Sequence, residues 1–378
     1  MRAILFRKAK SAILAVAFLG VCTMGQAQQS PAADRGTLIA VLPVDNMTGR
    51  TLLGTPIAAA WRTALASRGV PLLDEPRLRA LMDAHRVRYT GGLAPELAAA
   101  FRDEADVSGV LVTSVERWDE TESPVLALTS RLVSTEARPR ILWVDGGGAS
   151  GEDHPGFLDL GVVTDPDVIL DRTIGKLADA LAASLSGAAI KRPAHQRRFR
   201  PRQEFRHPEG LSPAAPVRIA VLPFTNRSPR RHAGDLVALH FVHQLAGRDG
   251  IEVVEPGVVR DILLRTRLIP EGGIAFNQGQ LLKELLGADL VLTGDVLDYI
   301  DAAGESQDPV VDFMTQLLDS GRRNVVWSSF HHNTGADRVW FFDKGRIRTA
   351  GSLGSAMARA TVDRMLREPL SPRGSRAP

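Results

Sequence analysis

Residues 37–50 read TLIAVLPVDNMTGR, and residues 217–230 read VRIAVLPFTNRSPR. Ile39-Ala40-Val41-Leu42-Pro43 recurs as Ile219-Ala220-Val221-Leu222-Pro223, with an Asn three residues past each proline, Asn46 and Asn226. The correspondence continues in the same order. Leu65–Val70 pairs with Leu245–Ile251, Gly91-Gly92-Leu93 with Gly272-Gly273-Ile274, and Val110-Leu111 and Val115 with Val291-Leu292 and Val296. Arg140–Trp143 then pairs with Asn324–Trp327, and Arg172-Thr173 and Leu177 with Arg348-Thr349 and Leu353. The offset drifts by only a few residues, as short loop insertions would produce. Two long copies are read as tandem domains, each with its own core, rather than as a solenoid of many short units.

Each copy predicts the same elements. Residues 38–43 and 218–223 are apolar runs closed by proline, hence buried strands. Helices follow at about 53–67 and 233–247; in the first, Ile57, Trp61 and Leu65 make one apolar face. Short strands at 70–73 and 251–254 lead to helices at 76–85 and 94–105, and at 256–266 and 277–286. Residues 107–116 and 289–297 read as β-branched strands. Strand pairs at 125–133 with 140–144, and 310–318 with 324–330, precede closing helices at 168–185 and 352–367. Strands alternating with helices, then strands joined directly, predict an α/β (α+β) chain of two tandem mixed-sheet domains with flanking helices. Apolar residues at 44% supply enough material for two cores. The predicted domains are 36–186 and 216–368.

The remaining segments differ in character. Arg2, Arg7, Lys8 and Lys10 precede an apolar stretch, Ser11–Val21, and Gly25-Gln26-Ala27 follows, so residues 1–27 read as a secretory signal peptide. The stretch is shorter than the roughly 20 residues that span a bilayer. Leu19-Gly20-Val21-Cys22 offers the alternative of lipidation at Cys22, the sole cysteine. On either reading the folded part has no thiol for a disulfide, metal site or nucleophile. Residues 187–215 form a basic, Pro-rich exposed linker, and 369–378 a disordered tail. The net charge of +3 is carried by the leader and by residues 191–206, so the two domains are net acidic.

The string IAVLPFTNRSP, a following helix and the strand GADLVLTGDV resemble the TolB N-terminal-like, curli-secretion (CsgG-like) and penicillin-binding-protein-activator (LpoB-like) periplasmic domains. Residues 217–367 match that pattern closely; residues 37–185 match less closely, with Asp106-Val107-Ser108-Gly109 where Gly287-Ala288-Asp289 stands in the second copy. The resemblance implies envelope accessory proteins without enzymatic activity: regulators of cell-wall synthases, flagellar-collar parts or secretion-pore subunits. The chain has no pair of the alternating ten-residue stretches that a membrane barrel requires.

Candidate chemistry is sparse. His240 and His243 share a helix face, but no third ligand stands at metal-binding spacing in the sequence, and a structural role is expected. His331-His332 is expected at a loop or strand end. Gly146–Gly151 lacks the Lys-Ser/Thr of a phosphate loop and reads as a flexible loop. Neither a G-x-S-x-G elbow nor an H-E-x-x-H motif occurs. Asp165 and Asp167 fit helix capping, and Trp143 and Trp327 fit the cores. Pro43, Asn46, Pro223 and Asn226 are expected to shape the turn after each first strand. Lys191, Arg192, Arg197, Arg198, Arg200, Arg202 and Arg206 are candidates for contact with anionic lipid or lipopolysaccharide; the alternative is a solvated linker. The expectation is therefore a protein-binding adaptor in the periplasm or at the outer membrane. It has envelope protein partners, no catalytic residue, cofactor, metal or nucleic acid. The alternative is a small-ligand sensor using a cleft between the copies.

Overall fold

The computed structural model describes residues 37–366 apart from 53–55, 122, 152–161, 189–198, 209–216, 269–275, 302–307, 320–323, 338 and 340–344. The signal peptide, Cys22, Lys191, Arg192, Arg197, Arg198 and the tail thus lie outside the described residues.

The first half runs β1 (Ile39–Val41), β2 (Asp45–Asn46), α1 (Ile57–Ala66), α2 (Glu75–Ala84), α3 (Pro95–Ala105), β3 (Gly109–Asp119), β4 (Val125–Ser134), β5 (Ile141–Ser150) and α4 (Pro166–Leu185). Its sheet has the order β1-β3-β4-β5, with β2 also on β3. After β6 (Gln203–Arg206) the second half runs β7 (Val217–Val221), β8 (Thr225–Asn226), α5 (Ala233–Leu245), β9 (Ile251–Val253), α6 (Pro256–Thr266), α7 (Phe276–Leu286), β10 (Leu290–Ile300), β11 (Val310–Asp319), β12 (Asn324–Thr334) and α8 (Ala350–Met365). Its sheet has the order β6-β12-β11-β10-β7-β9, with β8 on β10. The chain is thus of the mixed α/β class, with parallel pairing where helices cross over and antiparallel pairing in the hairpins.

Registers align the two sheets position by position. Ile39 pairs with Gly109 and Ile219 with Leu290; Leu132 pairs with Trp143 and Leu317 with Trp327. The first long strand of each half carries a bulge, at Glu116 in β3 and Leu297 in β10. One face of the first sheet buries Leu111, Leu128, Leu132 and Trp143 against α1 and α4, where Trp61 meets Trp143 edge-on at 6.4 Å. The second sheet does the same against α5 and α8, with Phe241 edge-on to Phe313 at 5.7 Å. The opposite face, here called the back face, is covered near β1 and β7 by α2 with α3 and by α6 with α7.

The two matching turns make the same side-chain bonds. Asn46 Oδ1 accepts from the amide and hydroxyl of Thr48, and its Nδ2 donates to the Arg50 carbonyl; Asn226 does the same with Ser228 and Arg230. These side chains shape the turn. Asn46→Ala and Asn226→Ala should each cost about 1 kcal/mol, read from thermal unfolding, since the lost bonds are partly solvated.

Several expectations change. Gly146–Ser150 is not a loop: it continues β5 to Ser150. Phe199 of the expected linker is fully buried in the second core, and Gln203–Arg206 pairs with β12 from Trp327 to Phe330. An alternating Gln-Glu-Phe-Arg stretch meeting an open sheet edge overrode the basic composition. Val70–Leu73 contributes one bridge, Leu72 to Ile39, rather than a strand. Asp165 caps α4 and Thr349 caps α8, so Thr173, inside α4, does not occupy the position of Thr349.

Candidate functional site

The halves meet where the back face of β4 and β5 lies against α5 and α8. Glycine sets the separation. A Cβ on Gly146 would stand 3.5 Å from the His243 ring, and one on Gly148 would stand 3.3 Å from Ser352 Oγ. On the facing helix, a Cβ on Gly351 would stand 2.6 Å from the Glu116 carboxylate.

Two buried polar clusters lock this contact. Arg131, on β4, and Glu255, at the N-terminus of α6, are both 0% exposed, with Nε to Oε1 at 3.2 Å. Arg131 also donates to the Gly91 carbonyl, while Glu255 accepts from the amides of Gly257, Val258 and, across the interface, Leu93. Burial pulls the Glu255 carboxyl above its usual range, and Arg131 and the two amides pull it back only in part. Glu116, the bulge residue of β3, accepts from Tyr299 and lies 3.2 Å from His240 Nε2. Burial opposes its ionisation, but the charge and hydrogen bond of His240, the Tyr299 hydroxyl and Arg230 together outweigh it, leaving the carboxyl below its usual range. Arg230 donates to the Glu116 carbonyl at 2.6 Å, and Arg117 reaches Asp301 at 3.4 Å.

Hollows flank the locks. A polar cavity of about 280 Å³ is lined by His240, His243, Ser352, Ser355 and Arg359 opposite the β5 glycines. An apolar hollow of about 130 Å³ lies between Met47 and Tyr89 of the first half and Val221, Leu239 and Leu263 of the second. The Arg260 guanidinium sits 4.1 Å from the Tyr89 ring centre there.

His240 therefore has a buried structural role, and His243 is half-buried, 3.5 Å from Asp145. The pair does not gather a metal set: among the described residues no three His, Cys, Asp or Glu side chains are grouped to hold one. His331 lies inside β12 rather than at its end, and is fully buried with Ser329 and Thr361 as partners; His332 pairs with Asp312. Trp143 and Trp327 are core residues. Of the basic residues described, Arg200 and Arg202 are exposed. Arg206 instead donates to the Arg364 carbonyl at the end of α8, so it is not an outward anion contact. Arg131, Glu116 and Glu255 were the residues missed. For Arg131 and Glu116 the available signal was a charge inside a mostly apolar strand, as in Val125–Ser134 and Gly109–Trp118. Among the described residues no helix is long and apolar enough to cross a membrane.

No protein-family model and no curated protein matches the sequence. Solved structures do. A PelC dodecamer from Paraburkholderia phytofirmans is 19% identical, with a TM-score of 0.29, covering 43% of this chain and 94% of that one. Lipoprotein GNA1162 from Neisseria meningitidis is 20% identical, with a TM-score of 0.28, covering 41% and 100%. The LpoB C-terminal domain from Salmonella enterica is 20% identical, with a TM-score of 0.26, covering 30% and 82%.

Proposed function

We propose that this chain is a non-enzymatic accessory protein of the bacterial envelope, built from two copies of one domain and acting by binding other proteins. The observation that carries the reading is the helical layer of the second half. Leu282 and Leu286 bury one side of α7, while Leu281 and Leu285, four apart and hence on one stripe, remain about two-fifths exposed. On the adjoining α6, Leu264 is 63% exposed. A helix layer with leucines on both of its faces is suited to a protein partner. The buried acids and bases, by contrast, are consumed in joining the halves. The signal-peptide pattern supports an exported location, and the LpoB-like sequence pattern supports an envelope partner.

The test is crosslinking in the envelope followed by affinity capture and mass spectrometry, with the wild type beside a Leu281→Ser/Leu285→Ser double variant. The wild type is expected to bring down a defined envelope protein, and the double variant, with unchanged circular dichroism, to lose most of it. Recovery of the wild type without any partner would remove the adaptor reading.

The polar cavity favours a second reading, a sensor for small anionic ligands. Arg359 and His243 supply cationic or donor groups, and Ser352 and Ser355 supply hydroxyls, in one concave site. A panel of small carboxylates and phosphates should then raise Tm in a saturable way, and Arg359→Ala should abolish the shift. Absence of any shift removes this reading.

A further inference from the structure

The contact between the halves joins unlike surfaces: the back face of one sheet against the helices of the next. Among the described residues, parts of the same two surfaces are exposed once more. In the second sheet the back face is exposed around Met314 and Gln316. Met314 is 41% exposed and pairs across with Phe330, and Phe205 on β6, 50% exposed, pairs with Ser328. At the other end of the molecule, Ala59, Thr63 and Ala66 of α1, with Asp167, Val168 and Asp171 of α4, face outward. We propose that a second copy of this chain docks its α1–α4 surface on the exposed part of the β10–β12 back face, repeating between molecules the contact that exists within one.

The argument rests on reading the halves as equivalent, and on what the registers then place opposite each other. Met314 with Phe330 corresponds to Thr129 with Gly146, and Gln316 with Ser328 to Arg131 with Val144. On the helices, Trp61 corresponds to Phe241, so Thr63 takes the place of His243 and Ala60 that of His240. Within the chain a small residue, Gly146, accommodates a large one, His243. Between chains a large residue, Phe330, meets a small one, Thr63. Within the chain Glu116 meets His240; between chains the bulge residue Leu297 meets Ala60, both half-buried, so an apolar pair replaces the charged one. Within the chain Arg131 meets Glu255; between chains Gln316, an amide donor, meets Asp74, an exposed carboxylate that caps α2. At these three places the substitutions are complementary in size or in polarity. At Gly148 and Ser352, replaced by His332 and Val168, and at Gly351, replaced by Asp167 opposite Leu297, the side chains grow, so two copies would stand further apart at that end.

A contact between unlike surfaces does not close on itself as a two-fold dimer. It propagates to a ring or a filament. Sedimentation or light scattering of the purified chain with rising concentration is expected to show association beyond a dimer. Met314→Glu on the sheet and Thr63→Arg on the helix, each at an exposed position and each checked by circular dichroism, are expected to reduce it to the single-chain mass. Mixed together, the two variants should form a one-to-one dimer and stop, because each retains one intact surface. Wild-type chain that stays monomeric overturns the proposal. So does an assembly that Met314→Glu or Thr63→Arg leaves intact, or a mixture that fails to pair. Met314 and Thr63 lie off the Leu281–Leu285 stripe of α7, so loss of self-association in their variants and loss of a captured partner in the leucine variant are separate results.

Discussion

Replacing Glu255 with glutamine will destabilise the protein by about 3–5 kcal/mol in urea unfolding. That is the usual loss when one member of a buried ion pair is removed and the other is left charged in the interior. Glutamine keeps an oxygen for the amides of Gly257 and Val258, so the helix cap survives and the loss reports on Arg131. Arg131→Met is expected to cost a similar amount. The double variant Arg131→Met/Glu255→Gln should recover most of the stability, because a well-packed neutral pair of similar volume tolerates burial. Single losses below about 1 kcal/mol would place the pair among the weakly contributing ion pairs of a solvated surface, contrary to its burial.

Acid will weaken the protein through His331. Burial in the second core, reinforced by the charge of Arg364, lowers its pKa from 6.5 to about 3. The unfolded chain therefore binds a proton near pH 6.5 that the folded chain refuses until near pH 3. The contribution of this group to stability is fully present above pH 6.5 and falls as pH drops toward 3, by up to about 1.4 kcal/mol per pH unit. Between pH 7 and pH 4.5 the wild type should lose about 2–3 kcal/mol from this group alone. His331→Asn will be less stable at pH 7, through lost packing against Phe313, but its stability curve should be flatter over that window. Equal slopes for the two proteins would show that His331 does not titrate on unfolding.

Much of the architecture was legible because similar sequence patterns recur in the same order in the two halves. An ambiguous apolar run such as Val107–Glu116 became a strand once its counterpart Asp289–Leu297 carried the same pattern. Helices α2, α3, α6 and α7 fall within a residue or so of their expected bounds, and a proline marks the start of the first three. The locks between the halves were not legible. Arg131 and Glu255 are 124 residues apart, and Glu116 and Tyr299 are 183 apart. Periodicity reports which face of an element is apolar, and carries no information on which distant charge will come to neutralise a buried one. The β5 glycines were misread for a related reason: their composition is that of a loop, while their purpose is the close approach of a helix. The Gln203–Arg206 stretch was hidden by its basic neighbours, and only the presence of β12 makes a strand of it.

That last stretch also orders events in time. During synthesis, β6 leaves the ribosome before any other strand of the sheet it belongs to, and its partner β12 comes out more than a hundred residues later. Until then the main-chain groups of β6 are unpaired and Phe199 and Phe205 have nothing to cover them. A strand in that state is a template for pairing with any exposed edge nearby. A polypeptide that stops short of residue 334 thus carries a sticky segment at its middle rather than at its ragged end. Truncation products of this protein should clump through the connector between the halves, and a proline at Glu204, which removes a donor from that strand, is the place to look for relief.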